Sequence, residues 1–393
     1  MNKLTARKIG RIFLGVLTTV LLILVVWVII AGPVTVFRVI TRGDTTIYDY
    51  MRFPGRELHA SPSPFPFEIA LQDDLIPETV NIEGTGEINL SDALESSGTL
   101  AFLVIQDDVI VDERYLNGHG ESSISQVFST SKSITSILVG TAIDDGLIGS
   151  VQDPVTVYVP ELAEGGFEKV TVESLLNMDS NMDYFENDNP FAEHVIFNFT
   201  DHLENEILDL RVLSKPDRQF RYKSGENALL GLILDRVLGE RTITQYMQER
   251  LWNPLGMEHR GVWGVDRVDG LERTWCCLSI SARDLAKLGR LFLDHGNWNG
   301  TTILSSEWVE VSTTDGAYTV NEWPLEFAES GLMNYKYQWW LTSENKGPYT
   351  TVGKDGQYMY IDPEKDLIMI RLGDGTGDLR WIRIFQEIAK PIQ

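Results

Sequence analysis

The sequence is poor in cysteine, histidine and basic residues. Its two cysteines, Cys276 and Cys277, are adjacent and cannot join distant segments, so a disulfide framework is excluded and two small buried apolar residues are expected. The six histidines show no metal-ligand spacing, so we expect no metal and no cofactor. The 33 basic against 57 acidic residues give a net charge of −24, which argues against a nucleic-acid partner.

The basic residues cluster around the one long hydrophobic run. Residues 1–42 hold six lysines and arginines and no acid, which leaves 27 basic and 57 acidic residues, or −30, for the remainder. Residues 12–37 are uncharged. This run is longer than the about 20 apolar residues that span a bilayer and the about 7–15 of the apolar region of a signal peptide. Four basic residues before the run and two after it predict a signal anchor with a cytoplasmic N-terminus and an extracytoplasmic remainder, periplasmic or at the cell surface.

The chain after the anchor divides into a spacer and one large domain. Residues 43–94 are predicted to be an extended linker leading into the domain, because the run at 61–66 is rich in proline and stiff. Residues 95–393 alternate strand-like and helical patterns. Strands are predicted at 99–105, 109–115, 349–352, 358–361 and 367–371, and helices after Ser129, Thr171, Asn227 and Ser281 and over 379–389.

A Ser-x-x-Lys motif, Ser129 to Lys132, stands at the start of the first of these helices. Residues three apart on a helix face the same way, so the two side chains are neighbours. A serine hydroxyl becomes a good nucleophile only when a base takes its proton, and a lysine can do so if burial lowers its pKa. The motif alone is weak, because a serine that caps a helix and a solvated surface lysine would look the same.

Two later motifs strengthen the interpretation of Ser129 and Lys132 as a catalytic pair. Tyr222-Lys-Ser224 precedes a helix and Lys354-Asp-Gly356-Gln357 precedes a strand. In this order the three motifs resemble Ser-x-x-Lys, Tyr-x-Asn and Lys-Thr-Gly of the serine β-lactamase and penicillin-binding-protein superfamily. The closer resemblance, over about residues 95–390, is to the class C-type branch with its family VIII esterases and nylon-oligomer (aminohexanoate-dimer) hydrolases.

The resemblance implies a β-lactamase-like α/β fold, in which an antiparallel sheet is flanked by helices and carries an inserted, largely helical subdomain. It also implies acyl transfer to Ser129, with Lys132 and Tyr222 sharing the proton transfers. Tyr222 would act as a base only if cations, namely Lys132 and Lys354, lowered its pKa. The backbone N–H groups of Ser129 and Gln357 would form the oxyanion hole, and Gly356 would allow close approach of substrate.

Two departures bear on the substrate. Ser224 stands where β-lactamases carry asparagine and Asp355 where they carry threonine, and both disfavour efficient β-lactam hydrolysis. The Tyr-x-Ser form is similar to that of the esterases and nylon-oligomer hydrolases. Further side chains are candidates to line the pocket, although a core position is favoured for the tryptophans: Asp183, Tyr184, Glu186, Trp339 and Trp340.

Three functions remain open. The first is a membrane-tethered serine hydrolase acting on a small ester or amide. The second is a peptidoglycan-directed D,D-peptidase or β-lactamase, which the two departures disfavour. The third is an inactive penicillin-binding-like scaffold module, which the presence of Ser129, Lys132 and Tyr222 together disfavours. Covalent labelling of Ser129 separates the third from the others, and a substrate panel separates the first two.

Overall fold

The structure, a computed structural model, describes residues 3–72, 74–187, 189, 191–213, 219–318, 325–343 and 346–392. Its helices are α1 Lys3–Ala31, α2 Pro33–Arg42, α3 Leu90–Ser96, α4 Thr130–Asp144, α5 Val172–Asn177, α6 Glu193–Phe199, α7 Leu203–Leu208, α8 Ser224–Leu238, α9 Ile243–Met247, α10 Ala282–Leu293, α11 Ser306–Thr313, α12 Leu325–Ser330 and α13 Trp381–Ala389. Its strands are β1 Gly55–Leu58, β2 Glu68–Ile69, β3 Thr79–Ile82, β4 Gly86–Asn89, β5 Thr99–Gln106, β6 Val109–Tyr115, β7 Ser125–Gln126, β8 Gly261–Gly264, β9 Leu278–Ile280, β10 Asn297–Trp298, β11 Thr301–Thr302, β12 Asn334–Lys336, β13 Trp339–Leu341, β14 Tyr349–Gly353, β15 Gln357–Asp362 and β16 Leu367–Gly373.

An eight-stranded sheet organises the domain, in the order β12-β13-β14-β15-β16-β5-β6-β2. The N-terminal hairpin β5–β6 turns at Asp107 and Asp108, both in the left-handed region, and β5 pairs antiparallel with β16. Successive residues of β5 point to opposite faces: Leu103 belongs to one hydrophobic core, while Phe102 and Val104 belong to the other. Helix α10 packs on one face and α13 on the other, as predicted for an α/β fold with helices on both sides.

The segment between β6 and β12 carries most of the described helices and three strands of a second sheet. That sheet has four strands in the order β1-β8-β9-β7. Helix α4 packs against α8 and against β14, so it lies between the helical segment and the large sheet. Strand β7 ends at Gln126, three residues before Ser129, and thereby fixes the start of α4.

The N-terminal helix α1 contains a stretch, Arg11–Ala31, long and apolar enough to cross a membrane by length and composition. The predicted apolar span ran to Phe37, and this boundary was wrong. Helix α1 ends at Ala31 because Gly32 takes a positive φ of 81° and Pro33 begins a new helix, α2. Helix α2 packs against α6, with Val36 buried.

Residues 43–94, which the sequence indicated as an extended linker, contribute strands β1 to β4 and helix α3. Strand β1 pairs with β8 and β2 pairs with β6, so both sheets include residues from this segment. Ile47, Leu58 and Phe67 are buried in the main core. Apolar side chains scattered through a proline-rich stretch carry no clear period, and only the folded domain shows where they pack.

The expectation of two separate buried thiols is also corrected. Cys276 and Cys277 are bonded to each other, with Cα atoms 3.8 Å apart. Cys277 has a positive φ of 69°, and its carbonyl accepts a hydrogen bond from Gly264 N at 2.8 Å. The disulfide therefore links neighbouring residues and no distant segments.

Candidate active site

Ser129 lies at the first turn of α4, where helix geometry leaves backbone N–H groups without intrahelical partners. The residue before it, Phe128, has a φ of 45°, which is uncommon for a bulky side chain. This turn places Ser129 half-buried at the N-terminal end of α4. Its side chain makes no capping bond, so it is not simply a helix cap.

Lys132 lies one turn further along α4, with 1 % of its surface exposed. Its Nζ is 3.0 Å from Ser129 Oγ and 3.0 Å from the carbonyl oxygen of Trp275. Burial lowers the pKa of Lys132 to about 8, although the negative charge of Glu186 acts in the opposite sense. A fraction of Lys132 is therefore neutral near physiological pH and able to accept a proton from Ser129.

Tyr222 also lies near Ser129, whose hydroxyl acts to lower the pKa of the phenol. Its ring stacks on Trp340 at 5.5 Å between centroids, and Lys132 Nζ lies 4.9 Å from its centroid. Burial and the charge of Glu186 raise the pKa of Tyr222 well above its ordinary value. The condition for Tyr222 to act as a base, a pKa lowered by Lys132 and Lys354, is not met, because desolvation of the phenol raises that pKa and the ammonium group of Lys354 is bound to Asp44 and Thr45.

Ser224 opens α8 and is held by a carboxylate. Its Oγ donates to Glu186 at 2.6 Å, and its backbone N donates to the same group at 2.8 Å. His194 Nδ1 lies 3.3 Å from Glu186 and 3.3 Å from the hydroxyl of Tyr184, and its Nε2 lies 3.1 Å from Asn198. Burial opposes ionisation of Glu186, but His194, Lys132 and Ser224 together lower its pKa to about 2. A carboxylate that is ionised near neutral pH therefore stands near Lys132.

Lys354 lies at the turn between β14 and β15. Its Nζ donates to Asp44 at 2.7 Å and to the carbonyl and hydroxyl oxygens of Thr45 at 3.1 and 3.2 Å. It also lies 5.7 Å from the ring centroid of Phe128. Partial burial raises the pKa of Asp44, but the hydrogen bond from Lys354 and its positive charge lower that pKa overall. The third motif therefore does reach the neighbourhood of Ser129, but its ammonium group is bound by the chain itself.

Gly356 and Gln357 complete this turn beside α4. The Gln357 carbonyl lies 3.4 Å from Thr130 Oγ1, while its side chain bonds away from the site, to Gly373. Gly356 has a φ of 84°, and a Cβ there would lie 1.8 Å from Arg371 Nη1. Packing against Arg371 therefore accounts for the glycine without any approach by a substrate.

The other predicted pocket residues divide. Tyr184 is buried and supports His194. Trp339 and Trp340 are both buried in hydrophobic cores, as favoured, and Trp340 also contacts Tyr222. Asp183 donates its backbone N–H to Arg211, and among the described contacts it has none to Ser129, Lys132 or Tyr222. No recognisable motif contains the further residues that contribute to this site, so their parts could not be predicted: His194, Asn198, Trp275, Asp44 and Thr45.

A cavity of about 330 Å³ lies beside this cluster. One wall contains Lys354 and another contains His194, the partner of Glu186. Asn198 also lines it and accepts a hydrogen bond at 3.0 Å from the indole of Trp275, whose carbonyl binds Lys132. The complete lining is Val39, Gly43, Asp44, Thr45, His194, Val195, Asn198, Phe199 and Lys354.

A serine beside a buried lysine and a tyrosine, between a helical segment and a largely antiparallel sheet, is the arrangement expected of a serine hydrolase of the β-lactamase and penicillin-binding-protein superfamily. The Beta-lactamase family model matches residues 90–380, and the chain belongs to that family. This confirms the predicted superfamily and the β-lactamase-like fold.

Individual relatives agree with the branch that the motifs indicated. The 6-aminohexanoate-dimer hydrolase of Paenarthrobacter ureafaciens is 30% identical over 298 residues, which cover 72% of this chain and 74% of that protein. A Bacillus anthracis protein assigned as a 6-aminohexanoate-dimer hydrolase superposes with a TM-score of 0.74 at 22% identity, over 87% of this chain and 92% of that one. A family VIII carboxylesterase superposes with a TM-score of 0.57 at 16% identity, over 77% and 95%. Both of these solved structures have the same fold as this chain.

Proposed function

We propose that this protein is a membrane-tethered hydrolase that cleaves an ester or amide through an acyl-enzyme on Ser129. The observation that carries the proposal is the 3.0 Å contact between Ser129 Oγ and the buried Nζ of Lys132. A lysine whose pKa is about 8 is a competent general base near neutral pH. The named activity of the Paenarthrobacter relative, hydrolysis of an aminohexanoate dimer, supports an amide or ester substrate.

In the acylation step, neutral Lys132 takes the proton of Ser129 while Oγ attacks the substrate carbonyl. The N–H groups of Ser129 and Gln357 are the proposed donors to the developing oxyanion. Tyr222, which burial keeps protonated, is suited to donate its proton to the leaving oxygen or nitrogen and then to take the proton that Lys132 holds, which leaves Lys132 neutral again. Water then attacks the ester on Ser129 with Lys132 again as base, and the carboxylic acid leaves.

Two contacts weigh against a β-lactam or peptidoglycan substrate. Ser224 is bound to Glu186 and offers no amide to a substrate. Lys354 is bound to Asp44 and Thr45, so a substrate carboxylate would have to displace them. Both support the ester or amide function over the D,D-peptidase.

Helix α1 is the proposed tether. Its apolar stretch, Arg11–Ala31, has the length of a bilayer span, and basic residues precede it. We therefore place the N-terminus in the cytoplasm and the domain outside.

The test is intact-mass analysis of the full chain in neutral detergent after incubation with a fluorophosphonate and, separately, with a penicillin. We expect a fluorophosphonate adduct on the wild type that is absent in Ser129→Ala and retained in Ser122→Ala, an exposed serine control. A stable penicillin adduct would favour the D,D-peptidase. No adduct with either reagent on folded protein would leave only the scaffold.

A further inference from the structure

Helix α2 and the residues after it form one wall of the cavity beside the site. Val39, Gly43, Asp44 and Thr45 line it, and they follow directly from the membrane-length helix α1. The catalytic domain is therefore joined to its proposed tether by the same residues that bound its cavity.

Helix α2 has two different faces. On the inner face, Arg38 donates hydrogen bonds to the carbonyl oxygens of Phe199, Thr200 and Asp266 at 3.0, 2.8 and 2.9 Å. On the outer face, Phe37 is 63% exposed and Ile40 is 62% exposed. Large apolar side chains exposed together indicate a protein or membrane contact. Since this face continues from α1, a bilayer is the partner that fits.

The end of α1 is fixed against the domain beside the cavity. Trp27 packs on Phe191 with ring centroids 5.3 Å apart, and Trp27 and Ala31 share a cluster with Ile196. Val195, which precedes Ile196 in α6, lines the cavity. Ten residues of helix rise about 15 Å, so the cavity lies no further than that from the point where α1 ends.

Part of the cavity lining suits a hydrocarbon chain, while Asp44, Thr45, His194, Asn198 and Lys354 form its polar part. Val39, Val195 and Phe199 provide apolar surface, and the ammonium group of Lys354 is neutralised by Asp44. Its volume of about 330 Å³ is at the lower end of ligand sites, which are about 300–1,000 Å³.

We propose that the substrate is a lipid-like ester or amide that enters from the bilayer, with its hydrocarbon chain in this cavity and its carbonyl at Ser129. This proposal rests on the proposed function and specifies its substrate. Acyl transfer to Ser129 breaks the ester or amide bond and releases an alcohol or amine that carries the proton. Water then releases the fatty acid.

The test uses the full chain reconstituted in phosphatidylcholine vesicles, with 4-nitrophenyl esters of increasing acyl length. We expect kcat/KM to rise by at least about tenfold from acetate to dodecanoate, since each buried methylene contributes favourable transfer free energy. A flat or falling series would overturn the proposal. Val195→Phe narrows the cavity and is expected to move the optimum to shorter chains; an unchanged optimum contradicts the assignment of the cavity.

The bilayer contact is tested with the double variant Phe37→Asp/Ile40→Asp. We expect hydrolysis of dodecanoate in the vesicles to fall about tenfold while hydrolysis of dissolved acetate stays within about twofold, because only the membrane-borne ester needs the contact. The matched control, Ile69→Asp/Leu71→Asp, changes two exposed apolar residues at strand β2 and should alter neither rate. Equal losses on both esters, or no loss on dodecanoate, would refute the bilayer contact.

These outcomes are separable from failure of the proposed function. If the wild type cleaves neither acetate nor dodecanoate and gives no fluorophosphonate adduct, the hydrolase itself is wrong. If the wild type cleaves acetate and is labelled on Ser129, but kcat/KM does not rise with acyl length, only the proposal of a lipid-like substrate is wrong.

Discussion

Lys132 sets the pH dependence that the proposed chemistry requires. Burial lowers its pKa to about 8, and only its neutral form can accept the proton of Ser129. We therefore expect kcat/KM for a neutral ester to rise with pH through a midpoint of about 8 and to be lost as pH falls below it. The measurement is a pH profile of kcat/KM.

The variant Lys132→Arg is expected to lose the activity at every pH, because a guanidinium stays protonated. Its fold should be checked by a thermal melt. An arginine variant with a normal profile would exclude Lys132 as the base.

Glu186 tests whether the charges in the site act on Lys132. Its carboxylate opposes the fall in the pKa of Lys132, so removal of the charge lowers that pKa further. In Glu186→Gln the acidic limb of the profile should move to lower pH by up to about one unit. The exposed Glu168→Gln is the matched control and should leave the midpoint in place. A shift to higher pH in Glu186→Gln would contradict the electrostatic argument.

At the level of elements, the turn between β14 and β15 depends on Gly356. A Cβ there would lie 1.8 Å from Arg371 Nη1, and the guanidinium is fixed by bonds to Gly356, Ser97 and Gly375 carbonyls. We expect Gly356→Ala to destabilise the protein by more than about 3 kcal/mol, from the positive φ and the overpacking together. A denaturant titration or thermal melt of the full chain in detergent measures the loss.

The control separates the two causes. Gly84 has a similar φ of 78° and no atom within 4 Å of a Cβ, so Gly84→Ala should lose only about 1–2 kcal/mol. Equal losses in the two variants would mean that Arg371 does not constrain the turn.

Elements with a strong local signal were predictable. Helix α4, the β5–β6 hairpin and the C-terminal strands agree with the hydrophobic periods of the sequence, and Thr171 caps α5 as its position indicated. Ser129 and Lys132 meet because they are three apart on one helix, a local relation.

The remaining contacts could not be predicted, because they join residues far apart in sequence. Lys354 binds Asp44, 310 residues away, and Glu186 binds Ser224, 38 residues away. Periods and caps carry no information on such pairs, which depend on how the elements pack. The direction of the pKa shift of Tyr222 could not be read from the sequence for the same reason, since burial is a property of the fold.

At the scale of the whole molecule, charge and the Asp44–Lys354 contact act in the same direction. Residues 43–393 carry −30, which repels an anionic substrate at long range. At short range, Asp44 occupies the ammonium group that would receive a carboxylate. The first effect is screened by salt, because the Debye length falls from about 30 Å at 0.01 M to about 3 Å at 1 M. The second effect is a direct contact that a mutation removes.

Two esters that differ only in a terminal carboxamide or carboxylate separate these effects. We expect the ratio of kcat/KM, neutral over anionic, to be highest at low salt and to fall severalfold as salt is raised from about 0.01 M to about 1 M. Asp44→Asn should lower the ratio further at both salt concentrations, because it frees Lys354 for the substrate carboxylate. Asp74→Asn, an exposed control with the same change in charge, should follow the wild type. A ratio unaffected by salt would mean that the net negative charge of the protein does not repel the anionic substrate from the site. A ratio unaffected by Asp44→Asn would mean that Lys354 takes no part in substrate selection.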